Sequence, residues 1–129
     1  MIITNSYLKN KIKPLAMDIV GSSIIPGCLT AKDEDILMLV NDKEGPRVSN
    51  LLEGMGFTRE SEEYDDTDFI SYRLSTPGDA LDKNVIVVYY ATFYDNFVLA
   101  SKLCRDLKLY RREDRVKVHK AILYGDLDD

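Results

Sequence analysis

A chain of 129 residues that is 45% hydrophobic can bury a real core but is too short for two ordinary domains, so residues 1–129 read as one domain. The formal net charge of -5 excludes a protein that coats nucleic acid through its overall charge, although not a local basic patch. Cys28 and Cys104 lie far apart, His119 is the single histidine, and no CxxC or Cys/His cluster exists, which argues against zinc.

The opening MIITNSYLKNKIK lacks the uninterrupted apolar core of a signal peptide, and no apolar run approaches a membrane span. A cytoplasmic location with reduced thiols and no membrane contact is expected. Ser6 is positioned to cap a short helix carrying Leu8, Ile12 and Leu15 inward, and Pro14 ends or kinks it. Residues 15–20 read as a buried strand, the Gly21/Ser22 turn follows, and Pro26 and Gly27 punctuate a loop. ILMLV at 36–40 has the continuous apolar character of a central strand. Gly45 and Pro46 start a helix with Val48, Leu51, Leu52 and Met55 at helical spacing, and Gly54 with Gly56 stops it.

Residues 58–67 are acidic and polar, a loop or solvated hairpin arm. FISYRL then alternates like a half-buried strand, and VIVVYY at 85–90 reads as a fully buried one. Thr92 and Asp95 form a capping-box pattern for a helix with Phe93, Phe97, Ala100, Cys104 and Leu107 on one stripe. A last helix over roughly 112–123 turns Val118, Ala121 and Ile122 inward and stops at Gly125; the tail GDLDD is expected to fray. Helix, strand, strand, helix, strand, strand, helix, helix is the order of an α+β or mixed α/β domain. Charge is segregated along it. Residues 33–68 hold twelve acids against Lys43, Arg47 and Arg59, whereas residues 102–120 hold eight Lys/Arg against Asp106, Glu113 and Asp114.

The chemistry concentrates in GSSIIPGCLTAKDED, residues 21–35. On a strand Asp33 and Asp35 project from one face and Glu34 from the other. Two neighbouring carboxylates are costly unless a cation sits between them, and Mg²⁺ takes a few carboxylates plus substrate phosphates as its cage. Gly21 lets backbone approach a phosphate closely, and Ser22 adds a hydroxyl donor to the amides of the turn. Such a clamp suits phosphoryl or nucleotidyl transfer, where catalysis is positioning and charge stabilisation.

This segment resembles the signature of the nucleotidyltransferase superfamily that includes DNA polymerase beta, the minimal nucleotidyltransferase antitoxins and small bacteriophage proteins. Gly21, Ser22, Asp33 and Asp35 match in type and spacing, and Gly27 falls one residue later than the common pattern. The closing EDRVKVHKAILYG and the order of elements are similar to the bacteriophage members. The resemblance implies a mixed-sheet minimal nucleotidyltransferase fold, α+β, with flanking helices. It implies an NTP with Mg²⁺ or Mn²⁺, and transfer of a nucleoside monophosphate to a hydroxyl on a protein or an RNA end. For a bacteriophage protein the location would be the host cytoplasm. Asp33 and Asp35 would be catalytic and hold metal, and Gly21 and Ser22 would hold phosphates.

One departure matters. Active members carry a third carboxylate entering a later strand, and here that position is Asn84, whose carbonyl can ligate a metal without bringing charge or acting as a base. Asp82, on the same face if the strand begins early, and Asp68 are the other candidates. Either the third ligand is displaced, or catalysis is slow, or nucleotide is bound without turnover, and a pseudoenzyme acting on a host or toxin protein is the alternative. Among the basic residues of the last helix, Arg115 is the candidate nucleotide contact, and the others read as its solvated face. The acidic pair Asp66/Asp68 also reads as solvated. His119, without a carboxylate or serine partner nearby in sequence, reads as a helix-face residue. Tyr89, Tyr90 and Tyr94 cluster where a base could stack, although aromatic residues there are ordinarily core.

Overall fold

The computed structural model describes residues 3–29, 31–60, 69–76, 78 and 81–125. Asp66, Asp68 and the tail after Gly125 lie outside the described residues, as does most of the acidic stretch. The first helix, α1 (Asn5–Ile12), is capped by Thr4 rather than Ser6: Thr4 is the last extended residue, and its Oγ1 accepts the Tyr7 N–H at 3.1 Å. Lys13, at φ 54°, closes the helix ahead of Pro14, and Arg47 donates to the Ile12 carbonyl at 2.7 Å. Leu8 and Ile12 point inward as expected, but Leu15 is 71% exposed.

Strand β1 (Ala16–Val20) runs antiparallel to β2 (Asp33–Leu39), and a single 3₁₀ turn, Ser22–Ile24, leads off the connection between them. Helix α2 (Gly45–Gly54) opens with Pro46 in its first turn, where the missing N–H costs nothing, and buries Val48 and Leu52. A two-residue β3 (Thr58–Arg59) pairs antiparallel with β4 (Phe69–Leu74), which pairs antiparallel with β5 (Asp82–Val88). Strand β5 lies parallel to β2, giving a five-stranded mixed sheet in the order β1-β2-β5-β4-β3.

Strand periodicity divides the core in two. Ile36, Met38, Val85, Val87 and Tyr72 face α1 and α2, joined by Leu8, Ile12, Val48 and Leu52. Val20, Leu37, Ile86 and Val88 face the other way, toward Tyr94, Phe93 and Phe97 of α3 (Ala91–Asp106). The two central strands are therefore apolar on both faces beyond their first residues, which is why they read as continuous hydrophobic runs. Each fully buried aliphatic side chain there contributes roughly 1.5–3 kcal/mol of transfer free energy.

Helix α3 starts without the expected Thr92/Asp95 box. Tyr90 is its N-cap, with no side-chain cap, and the Tyr94 N–H bonds the Tyr90 carbonyl, so Thr92 already lies inside the first turn. Of its predicted stripe Ala100 and Cys104 are buried, Phe93 and Phe97 are half-buried, and Leu107 is 57% exposed. Helix α4 (Arg112–Tyr124) packs back on α3 and ends at Gly125 in the left-handed region. Val118, Ala121 and Ile122 are only partly buried, and a different set of α4 residues, Arg115, His119 and Leu123 among them, lines a cleft. Among the described residues, no helix is long and apolar enough to cross a membrane.

Candidate functional site

The cleft lies at the end of the sheet where β1 finishes and the parallel strands β2 and β5 begin, on the α3/α4 side. It encloses about 1100 Å³, with Gly21, Ser22, Asp33, Asp35 and Asn84 on the sheet side and Arg115 and His119 among the residues of α4 that line it. All six residues singled out in sequence thus share one cavity.

Gly21 is required there by both conformation and space. Its φ of 81° favours glycine, and a Cβ would overlap the Asp35 carboxylate, 3.0 Å from Cγ. Its N–H donates to Ser101 Oγ at 2.8 Å, tying the turn to a buried serine of α3. The Gly21 amide is therefore already satisfied. The amides that open the 3₁₀ turn at Ser22 and Ser23 are the ones without an intrahelical partner.

Asp33 and Asp35 share a face, while Glu34 points to the opposite side and accepts from Asn5 and Lys83, both at 3.0 Å. The two aspartates nevertheless have different surroundings. Asp35 Oδ1 accepts from Asn84 Nδ2 at 3.2 Å, and burial raises its carboxyl pKa to about 6. The Asn84 hydrogen bond opposes that rise, the Asp33 charge adds to it, and the charges of Arg73 and Arg115 oppose it. Asp33 instead has both oxygens on the Arg73 guanidinium, with Nη1 to Oδ2 at 3.3 Å and Nη2 to Oδ1. Arg73 also contacts Glu60 at 3.3 Å and Asp82 at 3.6 Å.

Register explains this arrangement. The parallel pairing sets Asp33 beside Asp82 and Asp35 beside Asn84, and the antiparallel pairing sets Arg73 beside Asn84. Strand β5 does begin early enough to bring Asp82 onto the cleft face. Asn84 Oδ1 is buried and accepts no hydrogen bond from any described residue. A buried oxygen without a donor, on the amide that bonds a buried carboxylate, is a feature that a hard cation would satisfy. Among the described residues, no three His, Cys, Asp or Glu side chains group so as to hold a metal.

Arg115 is held over the α3–α4 turn by the carbonyls of Leu109 (3.1 Å) and Tyr110 (2.6 Å), and its charge is felt at Asp35. His119 is more than a helix-face residue. Its Nδ1 faces the Arg115 carbonyl at 3.0 Å and must carry the proton, since a carbonyl only accepts; its ring meets Phe97 edge-on with centroids 5.1 Å apart. Burial lowers its pKa, so the ring is neutral at pH 7. The tyrosine cluster does not reach the cavity: Tyr94 is buried with its hydroxyl donating to Asp18 at 2.6 Å, Tyr89 packs toward α1 and α2, and Tyr90 is exposed. Phe69, Phe97, Tyr110 and Tyr124 supply the aromatic lining instead.

Arg73 and Ser101 escaped sequence reading. Arg73 carried one signal, its place in the alternating FISYRL on the outward phase from Tyr72; Ser101 carried none, because its role is set by contact with a turn eighty residues away.

No family model matches the sequence, and no curated protein matches it. Among solved structures, the conserved protein GrpB from Enterococcus faecalis aligns with a TM-score of 0.58 at 16% identity, covering 93% of this chain and 88% of that one. At that identity the likeness is one of fold: among the described residues, an α+β domain with a five-stranded mixed sheet flanked by four α-helices.

Proposed function

We propose that the cleft binds an NTP with Mg²⁺ or Mn²⁺ and transfers its nucleoside monophosphate to an acceptor hydroxyl, releasing pyrophosphate. The observation that carries this reading is the cradle of Gly21, Asp35 and Asn84. A glycine whose Cβ would overlap a buried carboxylate stands against that carboxylate, which in turn accepts from an amide whose own oxygen is buried without a donor. Asp35 and the Asn84 oxygen would hold the cation, and Asp33 contributes its charge from beside them while paired with Arg73. When bound, the ion supplies charge neutralisation at the phosphates. Ser22 and the opening amides of its turn face the terminal phosphates, and Arg115 adds positive charge from α4. A protein partner or an RNA end would bring the hydroxyl to the cleft.

The test is incubation with each labelled NTP and Mg²⁺ or Mn²⁺ in the presence of candidate acceptors, comparing wild type with Asp33→Ala/Asp35→Ala. Pyrophosphate release or label transfer that vanishes in the variant is the expected result. Absence of both turnover and cation-dependent nucleotide binding overturns the reading.

A second reading has its own support: Asn84 in place of a carboxylate and Asp33 engaged by Arg73 leave one free acidic ligand, which favours binding without turnover. In that case the protein acts by docking a host or toxin protein, and nucleotide binds in the test above without label transfer.

A further inference from the structure

Arg73 is the least expected partner of the cleft's carboxylates. It reaches from β4 across the Asn84 position of β5 to Asp33 on β2, and it meets carboxylates from three segments: Asp33, Asp82 and Glu60. Asp33 and Asp82 are direct neighbours in the parallel register, on strands about 4.8 Å apart, a juxtaposition of like charges that needs a cation. One guanidinium facing three carboxylates is an undercharged answer to that need, because a simple structural pair requires only one acid. The guanidinium is permanently charged and its planar fork spans both oxygens of a carboxylate. Here it uses that fork on Asp33, leaving neither oxygen free, while Asp82 Oδ1 is taken by the Thr76 N–H at 3.0 Å. Asp35, two residues along the same strand, has only an amide donor and lies beside an unsatisfied oxygen.

We propose that Arg73 is a built-in counter-cation: it stands where a divalent ion would otherwise sit between Asp33 and Asp82. The cleft therefore takes one such ion, at Asp35 and Asn84, instead of two. The count of ions per nucleotide rests on the nucleotidyl-transfer reading; the exclusion of metal from Asp33 and Asp82 does not.

Arg73→Gln removes the guanidinium and leaves Asp33 and Asp82, neighbours in the register, without their shared cation. Without nucleotide, this variant should bind Mn²⁺ at least tenfold more tightly than wild type, read by Mn²⁺ electron paramagnetic resonance. Its thermal midpoint should fall in EDTA and recover in Mn²⁺. The gain should be absent from Arg73→Lys, which keeps a cation in place, and from Arg73→Gln/Asp33→Asn, which lacks a ligand. An Arg73→Gln chain that folds and binds Mn²⁺ no better than wild type overturns the proposal. So does one that is unfolded in EDTA and in Mn²⁺ alike, because the ion then does not replace the guanidinium. With an α,β-methylene NTP, wild type should bind one Mn²⁺ per nucleotide, and two would overturn the single-ion claim. If wild type binds no nucleotide, the proposed function fails while the Arg73→Gln comparison still decides the role of Arg73.

Discussion

Replacing Asp35 with asparagine tests whether the cleft stores electrostatic cost in its apo state. Burial, the largest cause, pushes the folded carboxyl up to about 6 from its ordinary value of 3.8. A raised carboxyl pKa means that the folded state holds the proton more tightly than the unfolded chain. The associated stability is complete below the unfolded value and is lost as pH rises through about 6. Two pK units correspond to about 3 kcal/mol at 1.36 kcal/mol per unit. Asp35→Asn keeps the shape and cannot ionise, so the stability of wild type relative to the variant should fall by about 3 kcal/mol between pH 4 and pH 7 and stay flat above. In urea, that corresponds to a relative midpoint change of about 1.5 M. The assay is equilibrium denaturation in EDTA, followed by far-UV circular dichroism at several pH values. Other groups titrate in both proteins and cancel in the difference. A difference that is independent of pH, or one that moves in favour of wild type as pH rises, refutes the reasoning.

Three further outcomes follow from the same geometry. Gly21→Ala places a methyl on the Asp35 carboxylate at a strained φ, and should cost more than about 2 kcal/mol by urea denaturation, with loss of any nucleotide binding. Ser101→Ala leaves the Gly21 N–H without its acceptor in a part-buried setting, and should cost about 1–3 kcal/mol in the same measurement. Tyr94→Phe removes the hydroxyl donated to Asp18 and should cost about 1–2 kcal/mol; a double-mutant cycle with Asp18→Asn checks that the loss belongs to this pair.

Much of this was legible in the sequence because it is local. Periodicity located the central strands, and Gly45-Pro46 and Gly125 marked helix ends, since each depends on residues close in the chain. The same alternation put Asp33 and Asp35 on one face. The helix start at Tyr90 was missed because backbone hydrogen bonding began the turn two residues before the residue with the right side chain. The cleft lining by His119 and Leu123 of α4 was missed because amphipathic spacing reports which side of a helix is apolar, not what the helix meets. Arg73 was beyond reach for a stricter reason. Its partners lie 13 and 40 residues before it in the chain, and 9 after, and only the register of three strand pairings brings them together.

That register also changes what Asn84 means. Read along the chain, asparagine at this position is a missing carboxylate. Read across the sheet, the carboxylate of β5 is present at Asp82, one pleat earlier, opposite Asp33 instead of Asp35. Moving a charge by two residues keeps it on the cleft face but transfers it from one aspartate to the other. The Asp33 row then carries two carboxylates and the guanidinium of Arg73, and the Asp35 row carries one carboxylate and an amide oxygen without a donor. A sheet that had simply lost its third ligand would leave both aspartates equally short of a partner. Here one is fully paired and the other is not, so the charge is unevenly divided, and the oxygen without a donor lies on Asn84, which bonds Asp35 beside the Gly21 turn.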